Sequence, residues 1–361
     1  MWYTHGMNIS RRNFLTGVGG LVAVSQLPSL ADDPAIFPQR GRYERLQLAY
    51  QHVSAGATAP FSILHISDTH LTDAYPDEPN GADKLRSKER RTRTFGGRQE
   101  EALRDSLAWA KDNVDYVLHT GDLIDWQSQA NFDLVKKYYG GAMFGAMGNH
   151  EFYTYLPGEK HTGLEPFKER SWPLLKAAYP VDPRFHTQVV NGVNFICMDD
   201  VFGTVQPDQV EKFRAEAQKG LPIVLCMHVP FHTDKIWRCD TQYWAGSGKK
   251  FRNAAVPDPK GDYKKQREDP TTRDFIAYLK GERLLKAILA GHLHITVQDR
   301  FSPTAMQYVV GGNYAFVGQE ILFTVDCKGK WAGATDGRQT SIVSGVFQHG
   351  LALSCLGSAC I

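Results

Sequence analysis

The sequence FSILHISDTH, residues 61–70, decides the fold. It begins as a short apolar run typical of a buried β-strand, and it ends in Asp68, Thr69 and His70. Four other apolar runs are followed by similar side chains: 114–120 by Gly121-Asp122, 142–147 by Gly148-Asn149-His150-Glu151, 222–227 by His228, and 285–290 by Gly291-His292-Leu293-His294. Open α/β sheets place their sites at the carboxyl ends of strands. We therefore expect these five clusters to meet in one site.

The segments between the clusters predict the rest of the architecture. Residues 98–112 have apolar side chains at helical spacing and predict a helix between the first two strands. Residues 185–199 predict a hairpin that turns at Asn191-Gly192. Three later runs, at 297–300, 305–310 and 319–325, are predicted to close a second sheet.

Composition limits the classes of protein that need to be considered. With 361 residues, 42% of them hydrophobic and 22% charged, the chain is typical of a soluble globular protein. Its 41 basic and 39 acidic residues give a net charge of +2, too small for nucleic acid to be the expected partner. The six cysteines show no CxxC spacing, and Cys197 and Cys226 lie in apolar runs that favour buried thiols. Cys355 and Cys360 either form a disulfide with each other or have no role.

The N-terminus carries an export pattern. Ser10-Arg11-Arg12-Asn13-Phe14-Leu15 precedes a Gly-rich apolar stretch at 17–24 and a small-residue stop at 29–31. This order resembles a twin-arginine leader, which predicts the twin-arginine export machinery as a partner and a periplasmic or secreted location. That route moves proteins that have already folded. The apolar stretch is too short for a stable membrane span after processing.

The five clusters resemble the calcineurin-like metallophosphoesterase family, whose pattern is DxH, GD, GNH followed by Asp or Glu, His, and GHxH. The resemblance covers residues 68–294 and includes all five elements. It implies an α/β fold, a four-layer sandwich of two mixed β-sheets flanked by helices, with the metal site at the C-terminal ends of strands. It also implies hydrolysis of phosphoesters by a hydroxide that bridges two divalent metals. The mixed ligand types suit Mn, Fe, Zn or Ni.

By motif position, the resemblance assigns seven metal ligands: Asp68, His70 and His294 for one metal, Asn149, His228 and His292 for the other, and Asp122 as the bridge. It places His150 at the leaving-group oxygen as the catalytic acid or transition-state stabiliser, with Glu151 orienting it. Each ligand alone has a structural alternative, such as a helix cap for Asp68 or a turn for Asp122. The five clusters together favour the metal site.

Several neighbouring residues have two interpretations. Asp125 either caps the following helix or orients a ligand, and capping is favoured. His65 and His119 are expected in the core or behind the ligands. The basic run from Lys84 to Arg93 is either solvated surface, which is favoured, or a patch that steers an anionic substrate. The GGNY stretch at 311–314 either approaches the site or forms a plain turn.

The resemblance implies a small-molecule phosphoester substrate. Phosphodiesters are favoured, with phosphomonoesters close behind, because DxH and GNHE are similar to the motifs of bacterial cyclic-nucleotide phosphodiesterases and an exported enzyme meets extracellular diesters. Purple acid phosphatases are disfavoured, since they have GDxG where this chain has Asp68-Thr69-His70. The alternative is a non-catalytic metal-binding or interaction scaffold of the same fold. A suitable residue at every ligand position argues against it.

Four segments describe the predicted organisation of the chain: 1–31 as the signal, 32–59 as a connection, 60–327 as the catalytic domain, with insertions at 72–97 and 231–272, and 328–361 as a tail. Both insertions are irregular and polar, and each starts shortly after a ligand cluster. They are interpreted either as walls of the substrate pocket or as surface insertions.

Overall fold

The computed structural model describes residues 45–141, 143–159, 168–245 and 269–325. The predicted signal at 1–31 and the tail at 328–361 lie outside these ranges, as do Cys327, Cys355 and Cys360. None of the helices in the described ranges combines the length and the apolar character that a membrane-spanning helix requires.

Eleven strands form two mixed sheets in the described residues. They are β1 Gln47–Ser54, β2 Phe61–Ile66, β3 Tyr116–Thr120, β4 Met143–Ala146, β5 Phe185–Val190, β6 Val193–Met198, β7 Ile223–Cys226, β8 Leu285–Ala290, β9 Val297–Arg300, β10 Met306–Val309 and β11 Val317–Thr324. The first sheet has the order β1-β11-β2-β3-β4, and the second has the order β5-β6-β7-β8-β10-β9.

Seven helices accompany the sheets in the same part of the chain. They are α1 Gly81–Phe95, α2 Gln99–Asn113, α3 Gln129–Tyr138, α4 Trp172–Ala178, α5 Pro207–Ala217, α6 Asp234–Ala245 and α7 Pro270–Gly281. Single 3₁₀ turns occur at His150–Phe152 and Asn313–Ala315.

Three apolar cores separate four layers. One core packs α2, α3 and α4 on the first sheet, for example through Leu103 and Val135. A second core lies between the sheets, where Phe61 stacks on Phe323 with ring centroids 5.0 Å apart. The third packs α5 and α7 on the second sheet, through Phe213 among others. The expected α/β sandwich of two mixed sheets flanked by helices is confirmed.

Strand direction determines where the clusters lie. β2, β3 and β4 are parallel neighbours, so the loops that follow them leave the same edge of the first sheet. β7 and β8 are parallel neighbours in the second sheet. An isolated parallel bridge between Ser67 and Gly312 ties the loop after β2 to the loop after β10.

The edge strands of the first sheet differ from the prediction. β11 was expected in the second sheet, but it pairs antiparallel with β2 and parallel with β1. β1 begins at Gln47, so the segment 32–59 contributes an edge strand to the first sheet. A strand pattern shows that a strand exists, but it does not show which sheet the strand joins.

The first insertion was predicted to be irregular, but it contains the helix α1. This helix is rich in charge, and only Gly81 and Ser87 among its residues are buried. It lacks the apolar stripe that identifies a helix in a sequence. An ion pair between the mostly buried Lys84 and Glu78, 2.9 Å apart, holds it instead. The second insertion likewise contains α6, and its residues 246–268 lie outside the described ranges.

Candidate metal centre

Two sets of side chains converge beyond the strand ends. The first set is Asp68, His70 and His294, whose donor atoms lie within 4.8 Å of one another. His294 Nε2 lies 3.1 Å from Asp68 Oδ1 and 3.2 Å from His70 Nε2. The structure thus brings together the three side chains that the sequence assigned to one metal.

The second set is Asp122, His228 and His292, also within 4.8 Å of one another. His228 Nε2 lies 3.3 Å from Asp122 Oδ2, 3.1 Å from His292 Nδ1 and 3.2 Å from Asn149 Oδ1, so Asn149 joins this set. Asp122 Oδ2 also lies 3.8 Å from His70 Nε2 of the first set. Its carboxylate therefore stands between the two sets, which is the place of a bridging ligand.

The histidine lone pairs in these two sets are directed in a way that suits the binding of cations. His70 Nδ1 lies 3.1 Å from Asp125 Oδ1, and His228 Nδ1 lies 2.7 Å from the carbonyl oxygen of Thr120. Each acceptor requires a proton on Nδ1, which leaves the Nε2 lone pair directed into the cluster. Asp68 Oδ1 is buried there, and among the described residues it has no hydrogen-bond partner. Cations stabilise buried acceptors that converge in this way, so the residues fit two metal ions.

Burial keeps two of the imidazoles neutral. It lowers the pKa of His70 to about 4 and that of His292 to about 3, so at pH 7 both have a lone pair available. Although burial opposes the charge, the neighbouring His228 holds the pKa of Asp122 well below its usual range. Burial also opposes a charge on His228, but Asp122 and Asp68 raise its pKa to about 10. A proton on His228 and a metal ion are thus alternative ways to neutralise the same two carboxylates.

Five of the seven assigned ligands have a left-handed backbone. Their φ angles are 53° at Asp68, 53° at His70, 56° at Asp122, 69° at His292 and 57° at His294. This conformation is uncommon outside glycine, and strained backbone of this kind collects at functional sites. Backbone hydrogen bonds hold the loops in place, since the Asp68 and His70 amides donate to the carbonyls of Gly121 and Asp122, each at 2.9 Å.

Gly148 allows the loop after β3, which carries Asp122, and the loop after β4 to come together. Its amide donates to Glu151 Oε2 at 2.8 Å. A Cβ at this position would overlap the Asp122 carboxylate, so a larger residue would displace the bridging side chain.

Glu151 binds these loops rather than the His150 ring. Its carboxylate accepts hydrogen bonds at 2.8–3.1 Å from four donors: the amides of Asp122, Leu123 and Gly148 and the hydroxyl of Tyr179. Burial raises the pKa of Glu151 to about 7, while the amide donors favour its ionised form. Glu151 therefore positions the backbone, a role different from the one that the resemblance implied.

His150 lies at the edge of the cluster, with 14% of its side chain exposed. Its Nδ1 lies 2.8 Å from Asp125 Oδ1 and 3.0 Å from the Tyr155 hydroxyl. Its Nε2 lies 3.9 Å from Asp122 Oδ2, on the side of the cluster. Although burial opposes the charge, Asp122 and Asp125 raise the pKa of His150. Both carboxylates therefore favour the protonated form of the ring.

Asp125 is a site residue, and the favoured interpretation as a helix cap is wrong. The cap of α3 is Ser128, whose hydroxyl accepts a hydrogen bond from the Asn131 amide. Asp125 is instead fully buried, and its Oδ1 reaches the Nδ1 atoms of both His70 and His150. The spacing of three residues after Asp122 was the available signal, but an aspartate just before a helix favours a cap equally well.

Tyr314 and Asn313 show that the GGNY stretch does approach the site. The Tyr314 hydroxyl lies 3.3 Å from His294 Nδ1. The Asn313 side chain accepts a hydrogen bond from Thr69 Oγ1 at 3.2 Å and donates one to Ser106 Oγ at 2.8 Å. This network ties the loop after β10 to the first ligand cluster.

His65, His119 and His232 lie apart from the ligand sets. His65 and His119 are buried and bond the hydroxyls of Thr120 and Thr69, each at 2.9 Å. His232 lines a separate cavity of about 340 Å³ on the second sheet's side. His161 lies outside the described residues.

The family model of calcineurin-like phosphoesterases matches residues 61–296, which is more than half of the chain. This chain belongs to the calcineurin-like phosphoesterase family. Members depend on a dinuclear metal centre, and the His and Asp groups described above are able to hold metal ions. This calcineurin-like phosphoesterase is accordingly a metal-dependent phosphoric ester hydrolase.

Solved structures similar to this calcineurin-like phosphoesterase include three hydrolases. A dimetal phosphatase from Danio rerio is 14% identical, with a TM-score of 0.38, covering 71% of this chain and 88% of its own. A 5′-nucleotidase from Candida albicans is 12% identical, with a TM-score of 0.34 and coverages of 74% and 47%. A phosphopantetheinyl hydrolase from Mycobacterium tuberculosis is 14% identical, with a TM-score of 0.34 and coverages of 72% and 92%. The comparison with curated proteins found no match.

Proposed function

We propose that this hydrolase cleaves phosphodiesters in preference to phosphomonoesters. The observation that carries the proposal is that aromatic side chains surround His150 and His294. Tyr153 and Tyr155 lie 5.0 and 5.9 Å from His150, measured between ring centroids, and Tyr314 and Trp244 lie 5.2 and 6.1 Å from His294. A diester has one negative charge and two organic groups, whereas a monoester has two charges and one organic group. Aromatic rings suit the second organic group.

The assigned residues divide the work at the site. Asp68, His70 and His294 would hold one metal, Asn149, His228 and His292 the other, and Asp122 both. When bound, the two metals supply a nucleophile at neutral pH and compensate the charge on the phosphoryl oxygens.

His150 then serves as the general acid. Asp125 fixes its Nδ1, so the Nε2 proton is the one available to the leaving-group oxygen. The donation leaves His150 neutral, and a proton from solvent restores it. General acids of this kind contribute about 10²- to 10⁴-fold to the rate.

Two substrates test the diester preference. Metal-loaded protein is assayed with bis-p-nitrophenyl phosphate and with p-nitrophenyl phosphate, with and without chelator. We expect the larger kcat/KM for the diester and loss of both activities with chelator. A larger kcat/KM for the monoester would overturn the preference, although the protein would still be a phosphoester hydrolase.

Three variants test the assigned roles. His150→Ala should lower kcat by about 10²- to 10⁴-fold and keep the metal content. Asp122→Ala should lose metal as well as activity. The exposed His52, replaced by alanine, is the control and should change neither. Unchanged turnover in the first variant would remove His150 from the proposed mechanism.

We also propose that the chain is exported through the twin-arginine route to the periplasm or beyond. The support is the leader pattern at 10–15, 17–24 and 29–31, which lies outside the described residues. Fractionation of cells that express the full chain should find the shortened protein outside the cytoplasm. Replacing Arg11 and Arg12 together by lysine should leave the precursor inside. Equal export of both forms would contradict the proposal.

A further inference from the structure

Two side chains near the end of α1 reach the proposed metal centre. Arg91 makes a two-point contact with Asp125, with Nε 2.5 Å from Oδ2 and Nη2 2.7 Å from Oδ1. Phe95 lies flat against His70, with ring centroids 4.1 Å apart and an interplanar angle of 11°. Both belong to the first insertion, which has no motif of its own.

The Asp125 carboxylate connects Arg91 to two rings with different roles. Its Oδ1 lies 3.1 Å from Nδ1 of the assigned ligand His70 and 2.8 Å from Nδ1 of the proposed acid His150. The carboxylate is fully buried, where an uncompensated charge is costly. The Arg91 guanidinium supplies that compensation, and its planar fork fixes the carboxylate in one orientation.

The guanidinium is itself held in place. It lies over the rings of Phe95 and Tyr155, 4.9 and 4.8 Å from their centroids. The Tyr155 hydroxyl reaches Nδ1 of His150 at 3.0 Å. Arg91 thus forms the centre of a packed unit that ends on His70 at one side and on His150 at the other.

We propose that Arg91 is a positioning residue that acts through Asp125 to hold the rings of His70 and His150 together, with Phe95 supporting His70. This inference rests on the proposed function, which gives those two rings their roles. It assigns α1 to the machinery of the site rather than to the surface. Neither earlier interpretation of the basic run covers this role, because Arg91 is neither a solvated charge nor a residue that steers substrate.

Other cations of α1 provide matched controls. Lys88 pairs with Asp73 at 2.6 Å, and both side chains are more than a third exposed. Replacing Lys88 by methionine removes the same charge from the same helix as Arg91→Met, but it leaves the Asp125 contacts intact. A difference between the two variants therefore belongs to the Asp125 contact and not to the charge of the helix.

Kinetics distinguish positioning from direct contact with the substrate. With bis-p-nitrophenyl phosphate, Arg91→Met should lower kcat by about 10- to 100-fold, the usual effect of removing a residue behind a metal ligand, and change KM by less than about threefold. Arg91→Lys should recover part of the loss, and Lys88→Met should match the wild type. A rise in KM with unchanged kcat would overturn the proposal, because it would make Arg91 a substrate-binding residue.

A double-mutant cycle tests whether the effect passes through Asp125. In an Asp125→Asn background, Arg91→Met should cause little further loss of kcat. Fully multiplicative losses would overturn the proposed path.

Metal affinity gives a readout that does not depend on turnover. Titration of the metal-free protein with Mn²⁺ by calorimetry should show about 10- to 100-fold weaker binding at one of two sites in Arg91→Met, because His70 belongs to only one ligand set. Lys88→Met should bind like the wild type. Equal affinities in Arg91→Met and the wild type would overturn the proposal. If Arg91→Met does not fold, Arg91→Lys takes its place and should show an intermediate loss.

A failure of the proposed function gives a different experimental result from a failure of the Arg91 proposal. A wild type that binds two Mn²⁺ ions but hydrolyses no phosphoester would refute the function, while the calorimetric comparison would still decide the role of Arg91.

Discussion

At the scale of single residues, Glu151 holds the centre together without touching the assigned acid. Its carboxylate receives amides from the loops after β3 and β4, and Tyr179 adds a hydroxyl. A glutamine has the same shape, but it brings an NH₂ group against one of those amides. Two donors would then face each other in a buried place, which costs about 1–3 kcal/mol.

We therefore expect Glu151→Gln to lower the free energy of unfolding by about 1–3 kcal/mol, measured by urea denaturation. Because Asp122 lies on one of these loops, the metal content should fall too. Glu101 is the control, since its carboxylate is one third exposed and pairs with Arg45 and Arg98. Glu101→Gln should cost less than about 1 kcal/mol. Equal stability of the two variants would show that Glu151 does not hold the loops.

Asp240 on α6 gives a prediction about pH. It is fully buried, burial raises its pKa to about 7, and neither carboxylate oxygen has a hydrogen-bond partner among the described residues. The native state therefore binds a proton more tightly than the unfolded chain, whose aspartates titrate near pH 4. The resulting stability is complete below about pH 4 and is lost as the pH rises toward 7.

Asp240→Asn removes this titration. The variant should gain stability relative to the wild type as the pH rises from 5 to 8, reaching about 2–4 kcal/mol at the upper end, at about 1.4 kcal/mol per pKa unit. Urea denaturation at several pH values measures the difference. A constant difference between pH 5 and 8 would contradict the raised pKa. The exposed Asp133, replaced by asparagine, should show no such trend.

The residues that the sequence could predict are those that follow an apolar run in a known order. Each assigned ligand lies directly after a strand, so its neighbours in the chain show its place. Arg91 has no such context, because its partner Asp125 is 34 residues away and belongs to another loop. Asp125 itself lies three residues after Asp122, yet the same pattern favours a helix cap. Contacts between distant segments decided these roles.

At the scale of elements, strands were predictable where they were buried, and helices where they had an apolar stripe. β8 and β9 have the predicted bounds, and α2 is shifted by one residue. α1 has no stripe, so its ion pair with Glu78 and its contacts with the site explain it. β11 was recognised as a strand but assigned to the wrong sheet. Pairing partners depend on the whole fold and not on the segment.

The start of α1 can be tested at Gly81. A Cβ there would overlap the carbonyl oxygen of Pro76, so Gly81→Ala must push the turn before the helix aside. We expect a loss of about 1–3 kcal/mol and faster hydrogen exchange across residues 81–95. Because α1 carries Arg91, kcat should fall as well.

Gly281, the last residue of α7, is the matched control for Gly81. A Cβ there would meet nothing within 4 Å. Gly281→Ala should be neutral or stabilising by up to about 1 kcal/mol, since alanine loses less backbone entropy on folding. If the two alanine variants behave alike, the packing of the turn against Gly81 does not limit the docking of α1.

At the scale of the whole molecule, the centre exists only when both sheets are packed together. Asp68 and His70 follow a strand of the first sheet, whereas His294, which completes their set, follows a strand of the second. The other set is divided in the same way, with Asn149 from the first sheet and His228 from the second. The sequence predicted the strand ends separately, but the packing of the sheets brought the two halves of each set together.

This division predicts that metal binding stabilises the whole sandwich and not one loop. Without metal, one proton on His228 faces two buried carboxylates, Asp68 and Asp122, so compensation is incomplete, and the ions that complete it bind only the assembled fold. A metal at 100 times its Kd adds about 2.7 kcal/mol, which corresponds to about 4 °C in Tm for 361 residues at about 2.1 cal/mol/K of unfolding entropy per residue. Chelation should therefore lower the Tm by that amount in calorimetry, as a single transition. Asp122→Asn should lose the effect, whereas Asp133→Asn should keep it. Removal of all metal without a change in Tm would show that the two sheets pack equally well without the ions.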